Sequence, residues 1–134
     1  MKMTNIDFQN QFYNTCQKIE NLEKNYDEST ESAYEELLDL IKNNISHYDW
    51  IKEKIKETIR EFKNSRNGRK IILSIDAIAF CMFELRWEEI LDCAKIEHKE
   101  YFSKKMETTL IILINAFNDN WEQKIDYKRY EKNG

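Results

Sequence analysis

The stretch IILSIDAIAFCMFEL, residues 71–85, decides how the rest of the chain is read. Its apolar residues leave hardly any polar side, whereas a helix or strand at a protein surface would alternate apolar and polar positions. A run of fifteen residues is too long for an ordinary strand and too short to span a bilayer. The reading is a central helix surrounded by others, and the question becomes whether the flanking sequence supplies those others.

It does. The chain has no proline and two glycines, Gly68 and Gly134, where an average chain of this length would carry about seven and about nine. Tight hairpins consume those residues, so their scarcity points to helices joined by short turns. Upstream, Phe8, Phe12, Cys16, Ile19, Leu22 and Tyr26 recur at three- and four-residue spacing and predict one face of a first helix, with Asn5 as its cap. DESTES, residues 27–32, offers Asp27, Ser29 or Thr30 to cap a second helix that buries Tyr34, Leu37, Leu38, Ile41 and Ile45. Asp49 is expected to cap a third, with Trp50, Ile51, Ile55, Ile59 and Phe62 inside. Asn64 to Arg69, with its Asn-Gly step, is a turn that divides the chain near its midpoint. Beyond the central helix, a fifth is expected from about Trp87 to His98, burying Ile90, Leu91, Cys93 and Ala94, and a sixth from near Tyr101 to Phe117. The tail from about residue 126 is expected to fray after a turn or two of helix.

Trp50, Trp87 and Trp121 each open a similar segment, spaced by 37 and 34 residues. That period is near those of helical-hairpin repeats, but the repeat consensus residues are missing. The expectation is an all-α fold, one domain over residues 1–134, an irregular bundle of about six helices, with helical-hairpin (HEAT-like) layering left open. No signal-peptide pattern opens the sequence and no run approaches a membrane span, so the expected compartment is the cytoplasm, with no membrane contact. Three cysteines at unhelpful spacings are expected to be reduced, packed thiols.

The net charge of −4 is unevenly laid down. Residues 1–64 hold nine Lys or Arg against thirteen Asp or Glu, and residues 65–134 hold twelve of each. Between Ile19 and Ile41 eight carboxylates face one cation, Lys24. Such a patch repels nucleic acid and attracts basic proteins. Like charges at helical spacing cost a few tenths of a kcal/mol per pair, so the pattern runs against local preference. Glu28, Glu31, Glu35, Glu36 and Asp39 are therefore the expected partner-binding surface, with a plain solvated face as the alternative.

Catalytic chemistry finds little footing. Asp76 lies between apolar neighbours and must pair, hydrogen-bond or neutralise; the expected role is a buried structural link to Arg69, Arg86 or a tyrosine hydroxyl, with Arg86-Trp87 forming the corner into the next helix. As catalytic carboxylates Asp76 and Glu84 are the least implausible. His98 with Cys93 or Cys81 could form a thiol/imidazole pair, but no orienting third group or oxyanion-hole glycine is visible. No CxxC, HxxxH or Glu-x-x-His spacing suggests a metal, and Asn67-Gly68-Arg69-Lys70 lacks the phosphate-loop pattern. No enzyme, metal or cofactor is expected.

From Ile75 to Ile96, and on to NAFNDNWEQKIDY, residues 115–127, the chain resembles a group of small bacterial helical proteins. In these an apolar Asp-Ala helix ends in Leu-Arg-Trp, a carboxylate-rich helix follows, and Ala-Phe-x-Asp-x-Trp closes the domain. Leu85, Arg86, Trp87, Ala116, Phe117, Asp119 and Trp121 carry the likeness, which covers the second half of the chain. Such proteins are similar to the immunity proteins of polymorphic toxin systems, including contact-dependent growth inhibition. The resemblance implies a protein that binds the toxin domain of a sibling cell's effector, commonly a basic nuclease, and covers its active site. The runner-up is another helical protein-binding inhibitor or adaptor of the antitoxin, anti-restriction or anti-CRISPR type.

Overall fold

The computed structural model describes residues 4–62, 71–103, 109–118 and 121–131, and among these it is all helix and turn, with no strand. Packing divides the chain into two compact units, residues 1–74 and 75–134.

In the first unit, helix α1 runs Asn5–Lys24, α2 Thr30–Lys42 and α3 Tyr48–Glu61, with a 3₁₀ turn at Ile45–His47 before α3. The cap of α1 is Thr4, one residue before the expected Asn5, because the Thr4 Oγ1 accepts the Asp7 N–H at 3.1 Å. Phe8, Phe12, Cys16 and Ile19 are buried along one face, as their spacing predicts. Opposite them α2 buries Ala33, Tyr34, Leu37, Leu38 and Ile41, and the two helices pack side by side.

Three expectations fail at helix ends. Tyr26, expected inside, is 94% exposed, because α1 stops at Lys24 and Tyr26 sits beyond the cap at φ 50°. There the Tyr26 N–H donates to the Glu23 carbonyl and the Asp27 N–H to the Leu22 carbonyl, the paired bonds that close a helix through a left-handed residue. Ile45, expected on the buried face of α2, is 70% exposed in the 3₁₀ turn, since Asn43 and Asn44 end that helix first, the Asn44 Nδ2 donating to the Leu40 carbonyl at 2.8 Å. Asp49 is the second residue of α3 and not its cap; the residue before the helix is His47, buried and stacked on Phe8 at 4.2 Å. Phe8, Phe12, Tyr13 and Trp50 add edge-to-face ring contacts at this end of the unit. The expected Asn64–Arg69 turn lies outside the described residues.

The stretch 71–85 is helical only from Ile75. Residues 71–74 are held out of the helix by tertiary ties: the Ile72 N–H reaches the Thr58 Oγ1 at 3.4 Å and the Ser74 hydroxyl donates to the Glu23 carboxylate at 2.6 Å. From Ile75, α4 (Ile75–Leu85) buries every residue through Met82 except Asp76.

In the second unit α4 and α5 (Glu88–Ser103) both pack against α6 (Thr109–Asn115). Ile90, Cys93, Ala94, Leu110, Leu113 and Ala116 are buried. The tail continues as a 3₁₀ turn, Glu122–Asp126, and a short α7, Lys128–Glu131. Trp121 and Tyr130 are buried in a ring cluster with Phe80, Phe83 and Tyr127, whose centroids lie 4.7–5.7 Å apart along the contacts Phe83–Tyr130, Phe80–Tyr130, Phe80–Tyr127, Phe83–Trp121 and Trp121–Tyr127. The Tyr130 hydroxyl donates to the Phe80 carbonyl at 2.8 Å, and Arg129 grips Glu84 through Nε and Nη2 at 3.0 and 3.2 Å. Burial first, and the Glu84 charge second, raise the Tyr130 phenol above its ordinary value, so it stays a neutral donor. The three tryptophans occupy unlike places, Trp50 within α3 and Trp87 and Trp121 before their helical segments.

Tyr26 and Arg86 both adopt positive φ, at 50° and 55°, which costs a non-glycine residue about 1–2 kcal/mol. Arg86 offsets this, its Nε and Nη1 donating to the Phe83 and Phe117 carbonyls at 2.8 Å each; Tyr26, almost wholly in solvent, does not. Denaturant melts should therefore show Tyr26→Gly stabilised by about 0.5–1 kcal/mol, the left-handed relief less the glycine entropy. Arg86→Gly should lose about 1–3 kcal/mol with its two charge-assisted bonds.

Candidate functional site: the acidic face of the α1–α2 hairpin

The α2 sequence TESAYEELLDLIK sets its buried residues on one arc and its carboxylates on the other. Glu36 and Asp39 are exposed, Glu28 is exposed in the turn before the helix, and Glu31 and Glu35 are half-buried beside the seam. The four predicted residues of α2 thus share the arc away from its buried side chains, with Glu28 exposed in the preceding turn, but they are not treated alike. Glu31 and Glu35 engage neighbouring groups. Glu36 accepts from the Lys18 Nζ of α1 at 2.8 Å, with the two side chains 47% and 55% exposed. An ion pair so open to water is worth at most about 1 kcal/mol and is readily exchanged.

Sequence reasoning missed Lys18 here, counted Glu20 and Glu23 in the acidic patch without placing them on the binding surface, and set Tyr26 on the buried face. Glu20 lies on the exposed side of α1, 3.8 Å from Lys24. The Glu23 Oε2 accepts the Tyr34 hydroxyl of α2 at 2.5 Å and the Ser74 hydroxyl at 2.6 Å, so one carboxylate ties three segments of the unit. Tyr26 stands at the tip, in the turn that the Asp27 carboxylate shapes by accepting the Ser29 N–H at 2.8 Å. Its position was open to inference, since Asn25-Tyr26-Asp27 interrupts the helix-forming composition where the apolar spacing alone runs on.

Between α1 and residues 71–74 lies an open cleft of about 160 Å³, lined by Cys16, Ile19, Glu20, Glu23, Ile71, Ile72, Leu73 and Ser74. Cys16 is 4% exposed and burial pushes its thiol up to about 12, so at neutral pH it is a packed, protonated thiol and not a nucleophile. Cys81 and Cys93 are buried as well and belong to no disulfide. Cys93 and His98 sit five residues apart on α5, about 140° around the helix, a poor geometry for a thiol/imidazole pair. Among the described residues no group of three or more His, Cys, Asp or Glu could hold a metal ion.

The expected buried tie at Asp76 is corrected. Asp76 is exposed at the start of α4, and the Arg86 guanidinium is committed to the Phe83 and Phe117 carbonyls, while Arg69 lies outside the described residues. Although the residue as a whole reaches solvent, its carboxyl is raised above the ordinary value, by desolvation first and by the Asp126 charge second. Glu84 is occupied by Arg129.

Because the folded-state value of Asp76 lies above that of the unfolded chain, its contribution to stability is full below the ordinary Asp range of about 3.9 and is lost as pH rises through the raised value. Asp76→Asn should therefore raise Tm at pH 7, and the gain should vanish when melts are repeated near pH 3. A structural tie would give a loss at pH 7 instead.

Compared with family models, with curated proteins and with solved structures, the chain matches none, so the reading of this face rests on its own geometry.

Proposed function

We propose that this chain is a helical inhibitor of the immunity-protein kind, which binds a basic toxin domain, a nuclease by its charge, and covers that domain's active site. It acts by binding and not by catalysis, in the cytoplasm and without a cofactor. The observation that carries this reading is the outer face of the hairpin. There Glu28, Glu36 and Asp39 are exposed, and Lys18 meets Glu36 in a solvent-exposed and exchangeable pair.

The chemistry supports a protein partner over a nucleic acid, whose phosphates these carboxylates would repel. A lysine- or arginine-rich surface built to hold phosphates is the natural complement, and carboxylates set at helical spacing stand in for the phosphate charge. Long-range attraction of this kind raises association rates by about 10–10³ and falls with ionic strength. Among the described residues no helix is long and apolar enough to cross a membrane. The Leu85-Arg86-Trp87 corner, on which the resemblance to immunity proteins leans, serves the fold of the second unit, with Arg86 closing the end of α4.

The test is stopped-flow association with the basic toxin domain recovered with the protein from its native host. Replacing Glu35, Glu36 and Asp39 together by lysine should slow association about 10- to 100-fold at low salt and flatten its salt dependence. An unchanged rate and affinity would remove this face from the interface, and a nucleic acid as the sole partner would contradict the function.

A further inference from the structure

Glu23 is held by hydroxyl groups. Its Oε2 takes two hydroxyls, Tyr34 at 2.5 Å and Ser74 at 2.6 Å, and among the described residues no cation reaches it. Hydroxyl donors fix the carboxylate in place without cancelling its charge. Glu36, by contrast, is met by Lys18.

This fixed charge lines the 160 Å³ cleft. Ligand pockets for cofactors and drug-sized molecules run from about 300 Å³ upward, so the volume suits one extended side chain and little more. The walls are apolar: Ile19 and Leu73 are buried, Ile71 and Ile72 half-buried, and Cys16 is a neutral thiol. A slot with apolar walls and carboxylates on one side matches an alkyl chain that ends in a cation.

Two cationic side chains have that form, and the geometry separates them. Arginine binds carboxylates best through a fork on both oxygens, but one oxygen of Glu23 is already taken by two hydroxyls. Lysine presents a compact ammonium that can use the remaining oxygen. We propose that this cleft receives a single lysine side chain from the protein partner, its stem along Ile71 and Ile72 and its ammonium on Glu23, with Glu20 at the rim. The acidic face steers the partner, and the slot fixes its register. This rests on the proposed function only for the source of the lysine.

The slot can be tested without the partner. The full chain is titrated with N-acetyl-lysine methylamide while the backbone amides are followed by NMR. Saturable shifts should centre on residues 16–23 and 71–74. The neutral norleucine analogue should bind at least tenfold more weakly, the arginine analogue more weakly than lysine, and Glu23→Gln should lower lysine affinity at least tenfold. If melts show that Glu23→Gln unsettles the unit, Ile72→Trp, which fills the cleft from a half-exposed position, should abolish the same shifts. Equal binding of norleucine, shifts spread evenly over α2, or binding that emerges only once Arg69 and Lys70 are replaced by alanine would each overturn the proposal. Failure here with a salt-sensitive toxin complex intact would remove the slot alone. Lysine binding in a chain that meets no toxin would keep the slot and remove the function.

Discussion

The apolar seam between α1 and α2 sets what the first unit can display. Phe8, Phe12, Cys16 and Ile19 on one helix and Tyr34, Leu37, Leu38 and Ile41 on the other are all buried, with most of them showing no surface at all. Each such side chain contributes roughly 1.5–3 kcal/mol on burial. Repulsion between carboxylates at helical spacing costs a few tenths of a kcal/mol per pair. The seam therefore outweighs the repulsion several times over, and it fixes the rotation of α2 so that its carboxylates turn outward. Glu23 works in the same geometry from the other side. Its bonds to Tyr34 and Ser74 pin α1 to α2 and to residues 71–74, which line the cleft together with α1.

Charge is used differently in the second unit. Arg129 grips Glu84, and Arg86 closes the end of α4 while reaching the Phe117 carbonyl. These groups tie α4 to later segments around the ring cluster of Phe80, Phe83, Trp121, Tyr127 and Tyr130. Their charges are committed to the fold, whereas Glu28, Glu36 and Asp39 of the hairpin are exposed. The contrast between Arg86 and Tyr26 has the same sense. Both occupy a conformation that favours glycine, yet one returns two hydrogen bonds and the other leaves an aromatic ring in solvent at the tip of the acidic hairpin.

Helix type and the buried faces were legible wherever apolar spacing was long and regular. The apolar stripes Phe8-Phe12-Cys16-Ile19, Leu37-Leu38-Ile41 and Ile51-Ile55-Ile59 lie inside, as their periodicity requires, and so does Ile75 to Met82 apart from Asp76. Helix ends were not, because spacing carries no information about where hydrogen bonding stops. Tyr26 and Ile45 continue an apolar pattern past the residue at which the backbone turns, and Asn5 and Asp49 are good capping types that sit one or two residues inside their helices. Residues 71–74 match helix by composition and are drawn out of it by Thr58 and Glu23, partners 14 and 51 positions away. The tail's turn or two of helix was legible, but its packing was not: nothing in the spacing places Tyr127, Arg129 and Tyr130 beside Phe80, Phe83 and Glu84. Of the candidate site, the five carboxylates could be read from the sequence, and their unequal exposure, the Lys18 pair and the Glu23 junction could not, since each depends on which residues the seam brings together.

The proposed contact is between the hairpin's outer face and a basic partner, and carboxyl footprinting measures it directly. The protein, free and in complex with the toxin domain, is labelled with a carbodiimide and an amine, and each Asp and Glu is then quantified by mass spectrometry. Loss of labelling in the complex at Glu28, Glu36 and Asp39, with Glu88, Glu122 and Asp126 unchanged, is the predicted result. Protection confined to carboxylates beyond residue 75, with the hairpin as reactive as in the free protein, would contradict it.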